Sequence, residues 1–334
     1  MPTIEVNDLR KEFVTPLPEP GLRGAVKGLF SPKYQRKNAV DGISFKLEPG
    51  EVVGYIGVNG AGKSTTIKML TGILAPSGGS VRVLGRDPHR ERVANARDIG
   101  VVFGQRTQLW WDLPLRESLW MVAQIYEIGD ARYKQLLEQF SGVLDLEDLL
   151  SKPIRTLSLG QRMRAELAAT LIHEPSVVYL DEPTIGLDLV AKERIRTFIK
   201  TQNLEREITL MLTTHDLTDI EELCSRVIII DAGIIIYDGP LEAIRARFGT
   251  HRQMTFEVSG SIPTSLELPP GAEVIANRER KLELRFDRSK ASASQVAGQV
   301  MNQLEVLDFS LREPDLSSII KQIYGGALQG KGPA

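Results

Sequence analysis

GVNGAGKST, residues 57 to 65, has the spacing G-x-x-x-x-G-K-[ST]. Gly57, Gly60 and Gly62 let a backbone wrap closely round an anion with its N–H groups turned inward, and Asn59 and Ala61 complete the loop. Lys63 adds a mobile positive charge for the β- and γ-phosphates of a nucleotide, Ser64 an oxygen for Mg²⁺, and Thr65 a hydroxyl for the α-phosphate. The alternative is a glycine-rich turn without a ligand. The lysine, the serine, the strand EVVGYI before and the helix TTIKML after all speak against that.

A second set of groups suits the same chemistry. VVYLDE, 177 to 182, is an apolar strand ending on Asp181, which is suited to holding Mg²⁺ through water. Glu182 follows at once, and hydrolysis needs a carboxylate beside the attacking water. Two adjacent acids after a buried strand are costly unless a cation is near. His215 ends the strand ITLMLTT and can donate to a terminal phosphate. LSLGQRMRAELAAT, 157 to 170, reads as a helix opened by Ser158, with Leu159, Met163, Leu167 and Leu171 along one face. Helix stability asks for neither Gly160 nor Gln161 in its first turn. A hydroxyl, an approach free of side chains and open N–H groups at a helix start fit an anion.

The elements that must position these groups alternate. Short apolar strands at VVYLDE, ITLMLTT and RVIIID are separated by helical stretches at 64–71, 115–128, 159–173, 188–202 and 218–224. That pattern predicts an α/β fold around a largely parallel sheet covered on both faces. VIIIDAGIII is broken by Asp231 and Gly233 into two strands round a turn. Residues 106–174 hold no convincing strand and read as an inserted helical subdomain. After GPLEAIRARFG the character changes to alternating strands (TFEVSG, AEVIA, LELRF, LEVLDFSL) with the helix SASQVAGQVMNQL, a small α+β module. The expected organisation is 1–248 for the main domain, 249–325 for the module and 326–334 for a disordered tail.

With 334 residues, Lys and Arg number 41 against 43 Asp and Glu, a formal charge of -2 that supplies no bulk basic field for nucleic acid. The single cysteine, Cys224, excludes an internal disulfide framework and fits a reducing compartment, as a buried inert thiol. No signal peptide is expected from MPTIEVNDLR, and no apolar run approaches a membrane span. Residues 14–37 form an insert: PLPEP, then LRGAVKGLFSPKYQRK with Arg23, Lys27, Lys33, Arg36 and Lys37 and no acid. Leu22, Val26, Leu29 and Phe30 sit at helical spacing, so a basic amphipathic helix with its charges turned outward and a solvated loop are both open readings.

Taken together, these motifs resemble those of ABC-type ATPases, the nucleotide-binding subunits of ATP-binding cassette transporters. Residues 57–65 stand as the Walker A loop and 177–182 as the Walker B strand. Gln105 in IGVVFGQ resembles the Q-loop glutamine, which senses Mg²⁺, water and permease; IGLD, 185–188, resembles the D-loop with Asp188, and His215 the switch histidine. Residues 157–161 resemble the family signature, with Leu159 where glycine is more usual. The resemblance covers roughly 1–248. It implies a P-loop NTPase fold of the ABC type, ATP and Mg²⁺ as cofactors, Glu182, His215 and Gln105 in catalysis, and Ser64, Gln105 and Asp181 round the metal. It further implies that Ser158, Gly160 and Gln161 meet the γ-phosphate held by a second copy of the chain, so that each chain carries two half-sites. Phe13, after the opening strand, is favoured to stack on adenine, with Tyr34 the runner-up.

Within the family the match is to subunits paired with a separate ABC-2-type permease, on the cytoplasmic face of the cell membrane. The basic insert and GQRTQLWWDLP are similar to ATPases of the viologen-exporter and daunorubicin-resistance type. Trp110 and Trp111 are expected to meet the permease. A soluble ABC ATPase acting on DNA or ribosomes is the alternative; such proteins usually have two fused cassettes or a long coiled coil, whereas this chain shows one cassette. Retention of Glu182 and His215 argues against a regulator without turnover.

Overall fold

The computed structural model describes residues 1–17, 33–104, 107–248, 251–263, 265–313, 316–317, 319–320 and 323–324. The possible helix at 22–30, Gln105 and the tail at 326–334 lie outside them. The chain divides into two compact units, Met1–Asp238 and Gly239–Ala334.

In the first unit, β1 (Ile4–Leu17) pairs antiparallel with β2 (Lys33–Leu47) along a hairpin, and register shifts bend it between Val6 and Leu9 and again near Lys11. Residues 14–17 and 33–37, expected in the insert, therefore belong to strands. Their outer segment alternates without an apolar face, which is why the sequence pattern conceals it. β3 (Val52–Gly57) enters a second sheet, while β4 (Gly78–Val83) returns to the free edge of β1, giving the order β2-β1-β4. Between them runs α1 (Lys63–Leu70), with Thr66, Ile67, Met69 and Leu70 buried.

The second sheet is completed by β5 (Ile99–Phe103), β6 (Val177–Asp181), β7 (Thr209–Thr213), β8 (Arg226–Asp231) and β9 (Ile234–Pro240), in the order β5-β6-β7-β3-β8-β9. β5, β6, β7, β3 and β8 pair in parallel. Their near-continuous burial is what a sheet covered on both faces requires. Helices α2 (Arg92–Asp98), α3 (Leu115–Ile125), α4 (Asp130–Leu144), α5 (Leu159–Leu171), α6 (Leu189–Arg206) and α7 (Leu217–Leu223) fill the connections. α3 to α5 form the inserted helical layer. Parallel pairing brings the C-terminal ends of β3, β6 and β7 to one crest, with Asp181 level with Phe103 on one side and Thr213 on the other.

The second unit begins with α8 (Leu241–Phe248), so the compositional change near 249 falls just after its first helix. β10 (His251–Val258), β11 (Ala272–Arg278), β12 (Lys281–Asp287) and β13 (Val306–Arg312) form an antiparallel sheet in the order β11-β12-β10-β13. Alternate residues Met254, Phe256, Leu282, Leu284 and Phe286 share a core with Val296 and Val300 of α9 (Ala293–Met301).

Two buried tyrosines of the main core differ in one respect. Tyr55 of β3 bonds the Thr66 hydroxyl of α1 at 3.2 Å, whereas the Tyr179 hydroxyl of β6 has no partner among the described residues. Tyr55→Phe should cost about 1 kcal/mol, and Tyr179→Phe should be neutral or stabilising, because only the first loses a bond. Urea unfolding of both variants checks this; equal losses would contradict it.

Candidate functional site

A cleft of about 560 Å³ opens on the crest of the parallel sheet, lined by Phe13, Lys37, Ala39, the loop residues Asn59, Gly60 and Gly62 to Thr65, Lys68, Ile73, Phe103, Gly104, Asp181 and Glu182. Gly62 N-caps α1 at φ +116°, and a Cβ there would stand 2.5 Å from the Ala39 carbonyl oxygen. Gly57 is equally constrained, its Cβ position lying 2.7 Å from the Ile230 carbonyl oxygen. The loop thus approaches β2 and β8 as only glycine allows. It leaves the first N–H groups of α1, which have no partner within the helix, at the cleft.

Lys63 is 7% exposed; its Nζ donates to the carbonyls of Gly57 at 2.6 Å and Val58 at 3.2 Å. Burial draws its pKa below the ordinary lysine value, against the opposing pull of Glu182 and Asp181. Lys37 and Lys68 line the same cleft. Sequence reasoning overlooked both: Lys37 was counted with the outward charges of the insert, and the hairpin instead brings it opposite Phe13 at the cleft. Arg36, its neighbour, pairs with Glu12 at 3.4 Å on the hairpin itself.

Across the cleft, Asp181 accepts hydrogen bonds from the Ser64 hydroxyl at 3.3 Å and from Thr213. Glu182 has φ +57°, a conformation that non-glycine residues hold only when the surroundings enforce it. Its N–H donates to the Thr213 carbonyl at 2.8 Å, and its Oε1 lies 2.7 Å from His215 Nε2. This carboxylate–imidazole contact is invisible in the sequence, where the two residues lie in different strand–helix connections. Phe13 is half-exposed with Lys11 Nζ 5.4 Å from its ring centroid, whereas Tyr34 sits further along the hairpin opposite Pro16, outside the lining.

Ser158, Gly160, Gln161 and Asp188 are not among the residues lining this cleft. Ser158 N-caps α5 in a capping box, its Oγ accepting from the Gln161 N–H at 3.3 Å and the Gln161 Oε1 accepting from the Ser158 N–H at 3.0 Å. Asp188 caps α6 by accepting from the Ala191 N–H at 2.8 Å. A Cβ on Gly160 would make only ordinary contacts, at 3.5 Å to Leu187 and 3.8 Å to Ala191. Packing among the described residues therefore does not demand this glycine.

Residues 40–185 match the family model described as ABC transporter. The daunorubicin resistance ATP-binding protein DrrA3 of Streptomyces coeruleorubidus is 32% identical over 300 residues, covering 88% of this chain and 93% of that one. The Nod factor export ATP-binding protein I of Paraburkholderia xenovorans is 38% identical over 248 residues, covering 72% and 78%. A solved structure described as the ATP-binding subunit of an ABC transporter superposes with a TM-score of 0.63 at 27% identity, over 74% of this chain and 93% of the other. The chain belongs to the ABC transporter family.

This ABC protein is an ATP-binding ATPase with the P-loop NTPase fold of its family. Its cleft fits the nucleotide: Lys37, Lys63 and Lys68 line it, the glycine loop presents helix N–H groups, and the half-exposed Phe13 lines it as well. The Ser64 hydroxyl and the Asp181 carboxylate, 3.3 Å apart, are hard oxygen donors suited to Mg²⁺. Because the loop's shape depends on Gly62, Gly62→Ala should weaken ATP binding at least about tenfold, or roughly 1.4 kcal/mol, without unfolding the chain. Titration with a fluorescent ATP analogue beside circular dichroism checks this; unchanged affinity would contradict it.

Proposed function

We propose that the chain hydrolyses ATP at composite sites of a nucleotide-sandwich dimer and powers solute export through a separate ABC-2-type permease. The observation that carries the chemistry is the Glu182–His215 contact of 2.7 Å beside the cleft that holds Lys63 and Asp181. Lys63, Lys37 and Lys68 balance phosphate charge, and Phe13 stacks on adenine. Ser64 and Asp181, with Gln105, would hold Mg²⁺, which would supply charge neutralisation of the bound phosphates. Glu182 accepts the proton of the attacking water as that oxygen bonds to the γ-phosphorus and the bond to the β–γ bridging oxygen breaks. His215, donating from Nε2, holds the Glu182 carboxylate in the rotamer that faces the water.

The dimer reading rests on the signature helix. Ser158 and Gly160 do not line this chain's own cleft, and no packing among the described residues demands the glycine. Around them Leu159, Ile185, Leu189 and Val190 are exposed, an apolar surface of the kind that interfaces cover. The signature helix would offer its N-terminus to the phosphate held by a second copy, with Gln161 and Asp188 beside it.

The export reading takes support from the relatives named for drug resistance and Nod factor export. No helix among the described residues is long and apolar enough to cross a membrane. Trp111, half-exposed with Arg162 5.3 Å from its ring, lines a groove of about 450 Å³ beside Leu159 and Ile185, a suitable seat for a permease loop at the cytoplasmic membrane face. Trp120 of α3 is likewise half-exposed.

Glu182→Gln keeps the shape and the ATP ligands but removes the base. Turnover should fall by about 10² or more, and ATP should then hold the variant as a dimer. Phosphate release and size-exclusion chromatography with ATP check both; near-normal hydrolysis would overturn the assignment.

A further inference from the structure

The contact between Glu182 and His215 joins two chain segments that no regular strand pairing holds beyond Asp181 and Thr213. Behind it lies a carboxylate that the chemistry does not use. Asp219 of α7 is fully buried and accepts hydrogen bonds from three groups on three segments. Its Oδ2 takes the Thr184 hydroxyl, two residues after Glu182, and the Thr214 hydroxyl at 3.1 Å, the residue before His215. Its Oδ1 takes Nε of Arg196 at 2.7 Å, from α6, the helix that Asp188 caps.

Burial works against the Arg196 charge, but the Asp219 hydrogen bond and charge, together with the charges of Asp216 and Glu193, more than offset it and hold its pKa above the ordinary arginine value. Arg196 also reaches Glu193 at 3.5 Å and Asp216 at 3.9 Å, and Lys192 donates to Asp216 at 2.5 Å. Neither Asp219 nor Arg196 lines the nucleotide cleft.

We propose that Asp219 is a positioning residue for hydrolysis: one buried carboxylate holds the Glu182 and His215 segments at contact distance and ties both to the helix behind the D-loop. The proposal rests on the reading of Glu182 and His215 as the hydrolytic pair. A fully buried carboxylate must keep its hydrogen-bond donors, so displacement of any one segment is resisted by the other two. Glu182 is the residue that needs such restraint. Its left-handed backbone is fixed by Thr213 on one side, and two residues further on by Thr184 on Asp219.

Thr184→Val removes one donor, keeps the side-chain shape and leaves the Arg196–Asp219 pair in place; Asp219→Asn keeps the volume but removes the charge. In the full-length protein kcat should fall roughly tenfold for Thr184→Val and 10- to 100-fold for Asp219→Asn. KM and the affinity for a fluorescent ATP analogue should change by less than about twofold. In a His215→Ala background, where the contact is already lost, Thr184→Val should have almost no further effect on kcat. A stable Thr184→Val protein with wild-type kcat overturns the positioning role, as does an undiminished loss in the His215→Ala background or a fall in nucleotide affinity that matches the fall in kcat. Normal turnover by Glu182→Gln overturns the hydrolytic reading, and the positioning role with it. A crippled Glu182→Gln beside an unimpaired Thr184→Val overturns the positioning role alone.

Discussion

A buried ammonium is the constraint on which the rest of the site depends. Lys63 is nearly enclosed; two loop carbonyls accept its hydrogen bonds, and the two carboxylates across the cleft oppose the effect of burial, which draws its pKa down. To bring those partners together the loop must fold back over its own lysine, which sets the glycines. The ends of β3 and β6 must also share one crest, which the parallel order β6-β7-β3 provides. Thr213, on the strand between them, then locks Asp181 by its hydroxyl and Glu182 by its carbonyl. A site that assembles cation, anions and helix N–H groups in this way is already balanced for a polyphosphate carrying a divalent metal.

The same chain keeps another helix start, at Ser158, away from that cleft. Its capping box stabilises α5 without any ligand, so folding alone accounts for the serine and the glutamine. Among the described residues, packing makes no such demand for Gly160. If the signature completes a neighbour's site, ATP becomes the element that joins two subunits, and its hydrolysis the event that releases them. The network round Asp219 would let that interface reach the hydrolytic pair, since Arg196 belongs to the helix that begins at the exposed Leu189 and Val190.

Much of this was legible in the residues because phosphate chemistry imposes local spacing. The loop at 57–65, Asp181 and Glu182 after an apolar strand, and the cap at Ser158 each declare themselves within nine residues or fewer. The alternation of apolar strands with helices also gave the parallel sheet. What stayed hidden depends on pairing over distance. The outer part of the β1–β2 hairpin buries no face, so no periodicity marked it, and Lys37 could not be traced to the cleft. The Glu182–His215 contact and its support by Asp219 join connections after two different strands. By contrast, α4 left a readable signal in Tyr133, Leu136, Phe140 and Leu144, at helical spacing and all buried, within a stretch read only as generally helical.

The central claim is that one chain holds two half-sites and completes neither. Subunit mixing tests it most directly: Lys63→Ala chains are combined with Ser158→Ala chains under separate affinity tags, and ATPase activity is measured on dimers that carry both tags. Each variant alone should be poor, because every composite site in it lacks one half. The mixed dimer places both lesions in one site and leaves the other intact, so activity should return above that of either parent. Mixed dimers as inactive as their parents, or full activity in a monomeric Ser158→Ala chain, would contradict the account.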